Sequence, residues 1–515
     1  LDSPEPVAVN PGKTAVHSIQ SPASKREMDR SLAHNLVWRA ATNWVSQILS
    51  WVSLLIVARL LAPKDFGIAA MAVILWPYLR YVGEFGIPQT LVTLRDLSED
   101  QLAQLNTIAF VLGLGCFAVS CALARPMAAF FRTPALAPVV IVTCIGLVPL
   151  GFRAVPEGLL NKEMRFGLLS WFEAVRSIIG AIATLAMAYF GWGYWALVGG
   201  NLVSTFVRSA MIIVVRPHRF ALPHISSLRR PLEFGRQVLV SVVAWSSYER
   251  LDNATAGRVL GQGALGLYAM AWNLATIPLE KITSLVTTIL PSYLAAVQKE
   301  PAALRRYLRT LTETLALATF PATIGLALVA RELVPLALGH KWEGAIVPLQ
   351  VLSVYVGFRS VVALLYTVLT AVGNTRFVMW NELSALVILP TAFYIGSHWG
   401  IGGIACGWVA GYPLVALPLY WKTFKTIGMQ VGDYLNAVRP ALSGTLVMVA
   451  GVESLKWALP SDRHVLLRLV AEIGVGTITY TATLLLLHRE RILFFVRLAK
   501  SFRRPKAGSD AVSTM

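Results

Sequence analysis

Arg59-Leu-Leu-Ala-Pro-Lys-Asp-Phe-Gly-Ile-Ala-Ala-Met-Ala72 aligns without a gap on Arg258-Val-Leu-Gly-Gln-Gly-Ala-Leu-Gly-Leu-Tyr-Ala-Met-Ala271, a shift of 199 residues. The Arg, the Leu two positions on, the Gly and the closing Ala-Met-Ala are common to both copies. Each copy joins two apolar runs, and self-similarity at a fixed offset marks an internal duplication. A second short signal recurs in the same order, Trp192-Gly193 in the first half and Trp399-Gly400 in the second.

Outward from the repeat, apolar runs follow one another along nearly the whole chain. A helix of about 20 apolar residues crosses a ~30 Å hydrocarbon core. Fourteen such spans are expected, at 41–60, 67–90, 105–124, 135–156, 168–189, 193–215, 237–257, 264–291, 311–330, 345–371, 377–396, 401–421, 440–458 and 465–487. The fold class is therefore an all-α integral membrane protein of about 14 transmembrane helices. Two six-helix lobes, 41–215 and 237–421, are joined by a linker at 216–236, and an appended helix pair occupies 422–488. Because six is even, both lobes enter from the same side and are parallel repeats. Residues 1–40 read as a disordered cytoplasmic tail without the apolar core of a signal peptide. Residues 489–515 form a basic cytoplasmic tail.

Composition agrees. Of 515 residues, 56% are hydrophobic and 14% charged, with mean hydropathy +0.62. Soluble chains carry roughly a quarter charged residues. The net charge of +18 raises nucleic-acid binding, but the bases cluster where the cytoplasmic loops of a membrane protein carry them. Arg216, Arg219, Arg229, Arg230 and Arg236 follow span six, and Lys299, Arg305, Arg306 and Arg309 follow span eight. With both termini cytoplasmic, these clusters fall on the cytoplasmic side, and nucleic acid drops out as a partner. The four cysteines, Cys116, Cys121, Cys144 and Cys406, lie in apolar segments without metal-ligand spacing. No phosphate-binding loop and no zinc-spaced His/Cys cluster occur. No metal, cofactor or catalytic residue is expected.

Ionisable groups inside a bilayer cost about 2.5–3.5 kcal/mol each on insertion scales, so they face a cavity or a partner. Arg80, Arg153, Arg176, Arg208, Arg250, Lys281 and Arg359 lie within the spans. Arg153 with Glu157, and Glu173 with Arg176, have the spacing of helix-surface pairs. They read as neutralising pairs near helix ends. Arg80, Arg250, Lys281 and Arg359 lie deeper and read as cavity residues. Spans two and eight each carry a proline, Pro77 and Pro278, with charge within a turn: Arg80 in one, Glu280 and Lys281 in the other. Paired interrupted helices in two halves point to a transporter's central site. The guanidinium fork suits a phosphate, so several arginines from different helices could hold a diphosphate headgroup. Tyr78, Tyr81, Trp245, Tyr248 and Asn273 suit sugar hydroxyls.

Ala58-Arg-Leu-Leu-Ala-Pro-Lys-Asp-Phe-Gly67 followed by Glu84-Phe-Gly-Ile-Pro-Gln-Thr-Leu-Val92 resembles the N-terminal signature of polysaccharide flippases of the multidrug/oligosaccharidyl-lipid/polysaccharide exporter superfamily. Leu160-Asn-Lys-Glu-Met-Arg-Phe166 and Gly191-Trp-Gly-Tyr-Trp-Ala-Leu-Val198 extend the resemblance, which covers about residues 30–490. It implies a flippase that moves an undecaprenyl-diphosphate-linked oligosaccharide repeat unit from the cytoplasmic to the periplasmic leaflet of a bacterial inner membrane, for exopolysaccharide, capsule or O-antigen. It implies two lobes around a central cavity that alternate between inward- and outward-open states, with proton or sodium coupling admitted. By that analogy spans one, two, seven and eight line the cavity, placing Arg39, Asn43, Arg80, Glu84, Glu249, Arg250, Asp252, Glu280 and Lys281 there, with Arg359 added from its depth in span ten. The implied partners are the lipid-linked oligosaccharide, membrane lipids, the polysaccharide polymerase and the chain-length machinery, and a monomer is compatible. Competing readings are an ion-coupled multidrug exporter, a lipid-linked peptidoglycan precursor flippase, and a membrane glycosyltransferase or polymerase. The last lacks a large external loop to carry its chemistry.

Overall fold

The computed structural model describes residues 49–94, 96–224, 228–236, 250–287, 297–298, 300–458 and 464–489, with positions 47, 226 and 239 besides; side chains are described through 280 and again from 297. Among these residues, ten helical stretches are long and apolar enough to cross a bilayer. One of them, Thr375–Ile427, contains two crossings folded about the turn Ser397–Trp399. Leu49–Leu60 is the described part of span one. Span seven is described from Arg250, and span eight is the helix Gly261–Thr287. The crossings thus follow the order expected from hydropathy.

Local chemistry sets many of the helix ends. Span three, Glu99–Phe130, starts at a capping box in which the Ser98 hydroxyl accepts from the Gln101 amide at 3.2 Å. Such a cap satisfies amides that the first turn leaves unpaired. Span two begins at Pro63, where the Asp65 carboxylate accepts from the Ala62 amide at 3.0 Å. It is not one helix but three, Pro63–Ala72, Trp76–Glu84 and Ile87–Thr93. Pro77 and Pro88 sit in the first turns of the second and third pieces, where a missing N–H costs nothing. Phe85 and Gly86 both adopt the left-handed conformation at the second break.

The expectation that span eight is interrupted as span two is does not hold. Gly261–Thr287 runs through Pro278 without a break. The Thr276 hydroxyl bonds the Trp272 and Asn273 carbonyls at 3.1 and 3.2 Å. The halves therefore differ: the first holds a segmented helix, the second a continuous one.

Spans four (Leu136–Cys144 and Leu147–Lys162), five (Phe166–Tyr189) and six (Tyr194–Val215) complete the first lobe with span three. Spans nine (Pro301–Ala337), ten (Ile346–Ala371), eleven (Thr375–Gly396) and twelve (Gly400–Ile427) complete the second. Spans thirteen (Val431–Ala458) and fourteen (Val465–Leu487) pack on span nine. The linker returns across the end of the first lobe where span three begins. The Ala221 carbonyl accepts from the Thr107 hydroxyl at 2.7 Å, the His224 amide donates to Gln104 at 3.0 Å, and Arg230 pairs with Asp96 at 2.9 Å.

The densest part of the second lobe is an aromatic cluster around a carboxylate. Trp408 stacks on Tyr355 at 4.7 Å and lies 4.8 Å from Phe393 and 5.4 Å from Trp272. Asp252, fully buried, accepts from the Tyr268 hydroxyl at 2.8 Å and the Trp408 indole at 3.1 Å through Oδ2. Its Oδ1 accepts from the Asn253 amide at 2.6 Å. A buried carboxylate stripped of one donor loses about 1–3 kcal/mol. Tyr268→Phe should therefore lower the apparent Tm of the purified protein by several degrees, read by intrinsic fluorescence in detergent. An unchanged Tm would show that the tyrosine does not support the carboxylate.

Candidate functional site

The two copies of the repeat meet face to face. A Cβ on Gly67 would lie 1.7 Å from the Gln262 carbonyl oxygen, and one on Gly266 would lie 1.8 Å from that of Pro63. Position 67 is to 262 as 266 is to 63, because the pairs exchange under the 199-residue shift. Small residues allow helix backbones to approach this closely in a membrane. Met71 and Met270, also equivalent, are both fully buried.

The shared arginines act in the same crossed way. The Arg59 guanidinium donates to the carbonyls of Ala337 (3.0 Å) and Leu336, at the end of span nine in the opposite lobe. Arg258 donates at 2.6 Å to the carbonyl of Phe130, the last residue of span three, and lies over that residue's ring. Helix C-termini present unpaired carbonyls and the negative end of the helix dipole, so a cation there is well placed. On one side a further clasp is added. Trp342 donates its indole N–H to the Ala58 carbonyl at 2.8 Å and Lys341 its ammonium to the Arg59 carbonyl at 2.7 Å, with Phe66 edge-on to Trp342 at 5.1 Å. The mouth between the lobes is thus shut on the side away from the linker. Nothing in the sequence pattern tied Trp342 or Lys341 to the repeat.

On the linker half of the first lobe, charged residues from four spans form a ladder. Arg80 Nη1 binds both Glu84 oxygens at 3.2 Å. Glu157 takes Arg153 at 3.2 Å and Arg208 at 2.7 Å. Glu173 takes Arg208 at 3.5 Å and Arg176 Nε at 2.9 Å. Four arginines face three glutamates, leaving one positive charge in excess. Arg153 and Glu84 are buried, at 7% and 8% exposure. The i,i+4 and i,i+3 spacings showed these pairs in the sequence; that Arg153–Glu157 and Glu173–Arg176 join through Arg208 required the packing of spans four, five and six. Arg80 stands at the open end. Its side chain is 32% exposed, its guanidinium lies 4.3 Å over the Tyr81 ring, and no described residue bonds its Nε or Nη2.

The other expected cavity residues are scattered. Asp252, expected on an open cavity wall, is enclosed in the aromatic cage because two aromatic donors and a backbone amide satisfy it there. Arg250 is half-buried at the turn before it, and Arg359 is half-buried in mid-span ten. Glu280 is exposed on span eight, nearer the linker end than the middle. Lys281 continues that helix, its side chain outside the description. Arg39, Asn43 and Glu249 lie outside the described residues. Among the described residues no His/Cys/Asp/Glu group has the arrangement of a metal site.

The closed mouth gives a direct test. Overpacking a tight contact costs about 1–3 kcal/mol, so Gly67→Leu or Gly266→Leu should favour the opened mouth. A cysteine replacing Met270, in a chain without the native cysteines, should react with a membrane-impermeant thiol reagent roughly 5- to 100-fold faster in the leucine variants. Equal labelling rates would mean that the glycine contacts do not hold the mouth shut.

This arrangement has known counterparts. The chain is 24% identical over 489 residues to the succinoglycan biosynthesis transport protein ExoT of Rhizobium meliloti (strain 1021), covering 93% of this chain and 97% of that protein. It is 24% identical over 402 residues to the lipopolysaccharide biosynthesis protein WzxC of Escherichia coli (strain K12), covering 76% and 80%. Its fold matches the lipid II flippase MurJ in an inward closed conformation with TM-score 0.72 at 15% identity, over 88% of this chain and 100% of that one. The family model described as polysaccharide biosynthesis protein matches residues 56–347, more than half the chain, a stretch that takes in both copies of the repeat and the charge ladder. The chain is a multi-pass membrane protein belonging to this polysaccharide biosynthesis family.

Proposed function

We propose that this chain is a flippase that carries an undecaprenyl-diphosphate-linked oligosaccharide from the cytoplasmic to the periplasmic leaflet of a bacterial inner membrane. The observation that carries the reading is the pairing of a mouth closed on one side with a partly exposed arginine, Arg80, on the other. In this conformation substrate would enter from the linker side. The basic linker supports taking that side as the cytoplasmic one, since positive loops are retained there. Both termini are then cytoplasmic as well.

Arg80 would bind the diphosphate through Nε and Nη2 while Glu84 fixes its Nη1. A guanidinium offers phosphate a bidentate, charge-assisted contact. Arg39, Asn43, Glu249, Arg250, Glu280, Lys281 and Arg359 are the remaining candidates for the path, with Asp252 acting from within the second lobe. The crossed clasps of Arg59 and Arg258 would break on opening towards the periplasm, so the lobes exchange one closed mouth for another. A proton or sodium gradient could drive the cycle, and the polymerase and chain-length proteins would receive the product. The chain itself makes and breaks no covalent bond in this scheme.

A hydrogen bond to a charged group contributes about 1.5–3 kcal/mol, or about 10- to 100-fold in affinity. In a strain lacking the chain, normally inserted Arg80→Ala should therefore restore much less surface polysaccharide than wild type, with lipid-linked repeat units accumulating on the cytoplasmic leaflet. Arg80→Lys should lie between. Wild-type export by Arg80→Ala would remove this residue from the site. Intact polysaccharide with lost dye resistance in the deletion strain would support a drug exporter, and failed peptidoglycan synthesis a lipid-linked precursor flippase.

A further inference from the structure

A basic site lies on the outer wall of the second lobe, where spans eleven and twelve end on the linker side. Span eleven starts at Thr375 and span twelve finishes at Ile427, and the Asn374 side-chain amide donates to the Thr426 hydroxyl at 3.5 Å across the two ends. Arg376 is exposed in the first turn of span eleven. Lys425 is exposed in the last turn of span twelve, its ammonium 5.3 Å over the Trp421 ring. Lys422, half-buried, lies five residues before that end, about 7.5 Å along the helix. Its ammonium is 5.7 Å from the Phe377 ring of span eleven, so it reaches across the groove between the two helices.

The ordinary roles of such bases do not account for these three. Cations near a helix C-terminus commonly serve its unpaired carbonyls. Here Arg305 of span nine takes the Ile427 and Gly428 carbonyls, at 2.9 and 3.2 Å. No described carboxylate pairs with Arg376, Lys422 or Lys425. Lysines that only mark the positive side of a membrane protein extend their ammonium into water, whereas Lys422 turns over a ring of the neighbouring span. Three positive charges therefore collect at one pair of helix ends with no acidic partner among the described residues.

We infer that these helix ends bind the headgroup of an anionic phospholipid, its phosphate held by Lys422 and flanked by Arg376 and Lys425. Basic pockets between transmembrane helices hold such headgroups. Trp380 and Trp421, 59% and 61% exposed and each one turn from a base, mark the interfacial level that tryptophan favours. The lipid is favoured over a free phosphate because exposed apolar side chains follow the bases into the membrane. Leu383 on span eleven, and Leu417 and Leu414 on span twelve, give acyl chains a surface to lie along. A net negative headgroup is required, since a zwitterion brings its own ammonium to a site that already holds three cations. Neither span carries a candidate for the substrate path, so the site stands apart from the transport reading. It would anchor the second lobe to the leaflet on the linker side.

Native mass spectrometry of the full chain, delipidated and then titrated with single lipids in detergent, tests this. The first phosphatidylglycerol should be held about tenfold more tightly than phosphatidylcholine of the same chain length. Lys422→Gln should weaken that first phosphatidylglycerol about fivefold, the attraction of one base to an anionic lipid, and Lys422→Arg should keep it. Arg376→Gln, Lys422→Gln and Lys425→Gln together should abolish the preference. Arg219→Gln, Arg229→Gln and Arg236→Gln together, which remove as many exposed charges from the linker, should leave it intact. Equal retention of the two lipids by wild type, an undiminished preference in Lys422→Gln, or an equal loss in the linker variant would overturn the assignment. Displacement of the phosphatidylglycerol by an equal concentration of inorganic phosphate would overturn the lipid as the ligand.

Discussion

The structure depends on the closeness of two backbones. Where Pro63 and Gly67 face Gln262 and Gly266, helices from the two lobes approach until no side-chain carbon fits between them. In lipid, no hydrophobic force drives helices together, since the acyl chains are as apolar as the side chains. Close packing and hydrogen bonding must do so. The glycine contact supplies the first, and the crossed arginines supply the second. Arg59 reaches the end of span nine, and Arg258 that of span three, so each lobe satisfies helix carbonyls that the other leaves open. Because the contacts are reciprocal, disturbing either copy loosens the same mouth.

Around this contact the two lobes are built differently. The first is interrupted and charged. Its span two is broken twice, and arginine–glutamate pairs join spans four, five and six on the linker half, with Arg80–Glu84 paired within span two. Ion pairs this deep gain little net stability, because desolvation offsets much of their attraction, but removing one member leaves a buried charge. The ladder therefore fixes which helices neighbour one another. Its two ends keep part of their surface open, Arg80 at 32% and Arg176 and Glu173 at 33% and 42%. The second lobe is continuous and aromatic. Span eight passes through Pro278 unbroken, and Trp408, Tyr355, Trp272 and Phe393 close around Asp252.

The chain thus distributes its charge over three settings. The ladder neutralises most of the first lobe's buried arginines, the cage satisfies Asp252 with neutral donors, and Glu332 and Glu472 share Arg468 with one unpartnered oxygen each. Arg153, buried at 7% exposure, is matched by Glu157, the neutralising pair that its i,i+4 spacing predicts.

What the sequence determined by itself was whatever one helix or one short motif decides. Span number and order follow from runs of apolar residues, because a helix satisfies its own backbone and needs only length to cross lipid. The duplication is visible in Arg59–Ala72 and Arg258–Ala271, and the pairs Arg80/Glu84 and Arg153/Glu157 from spacing along one helix. Only the tertiary structure decided which surfaces meet. That Arg208 unites two pairs, that Arg468 is shared with Glu332 from another span, that Trp342 closes on Ala58, and that Asp252 turns into an aromatic cage all depend on helices far apart in the chain. Hydropathy cannot foresee them, since lipid-facing and protein-facing apolar surfaces look alike in sequence, and an ion pair between helices has no spacing to betray it.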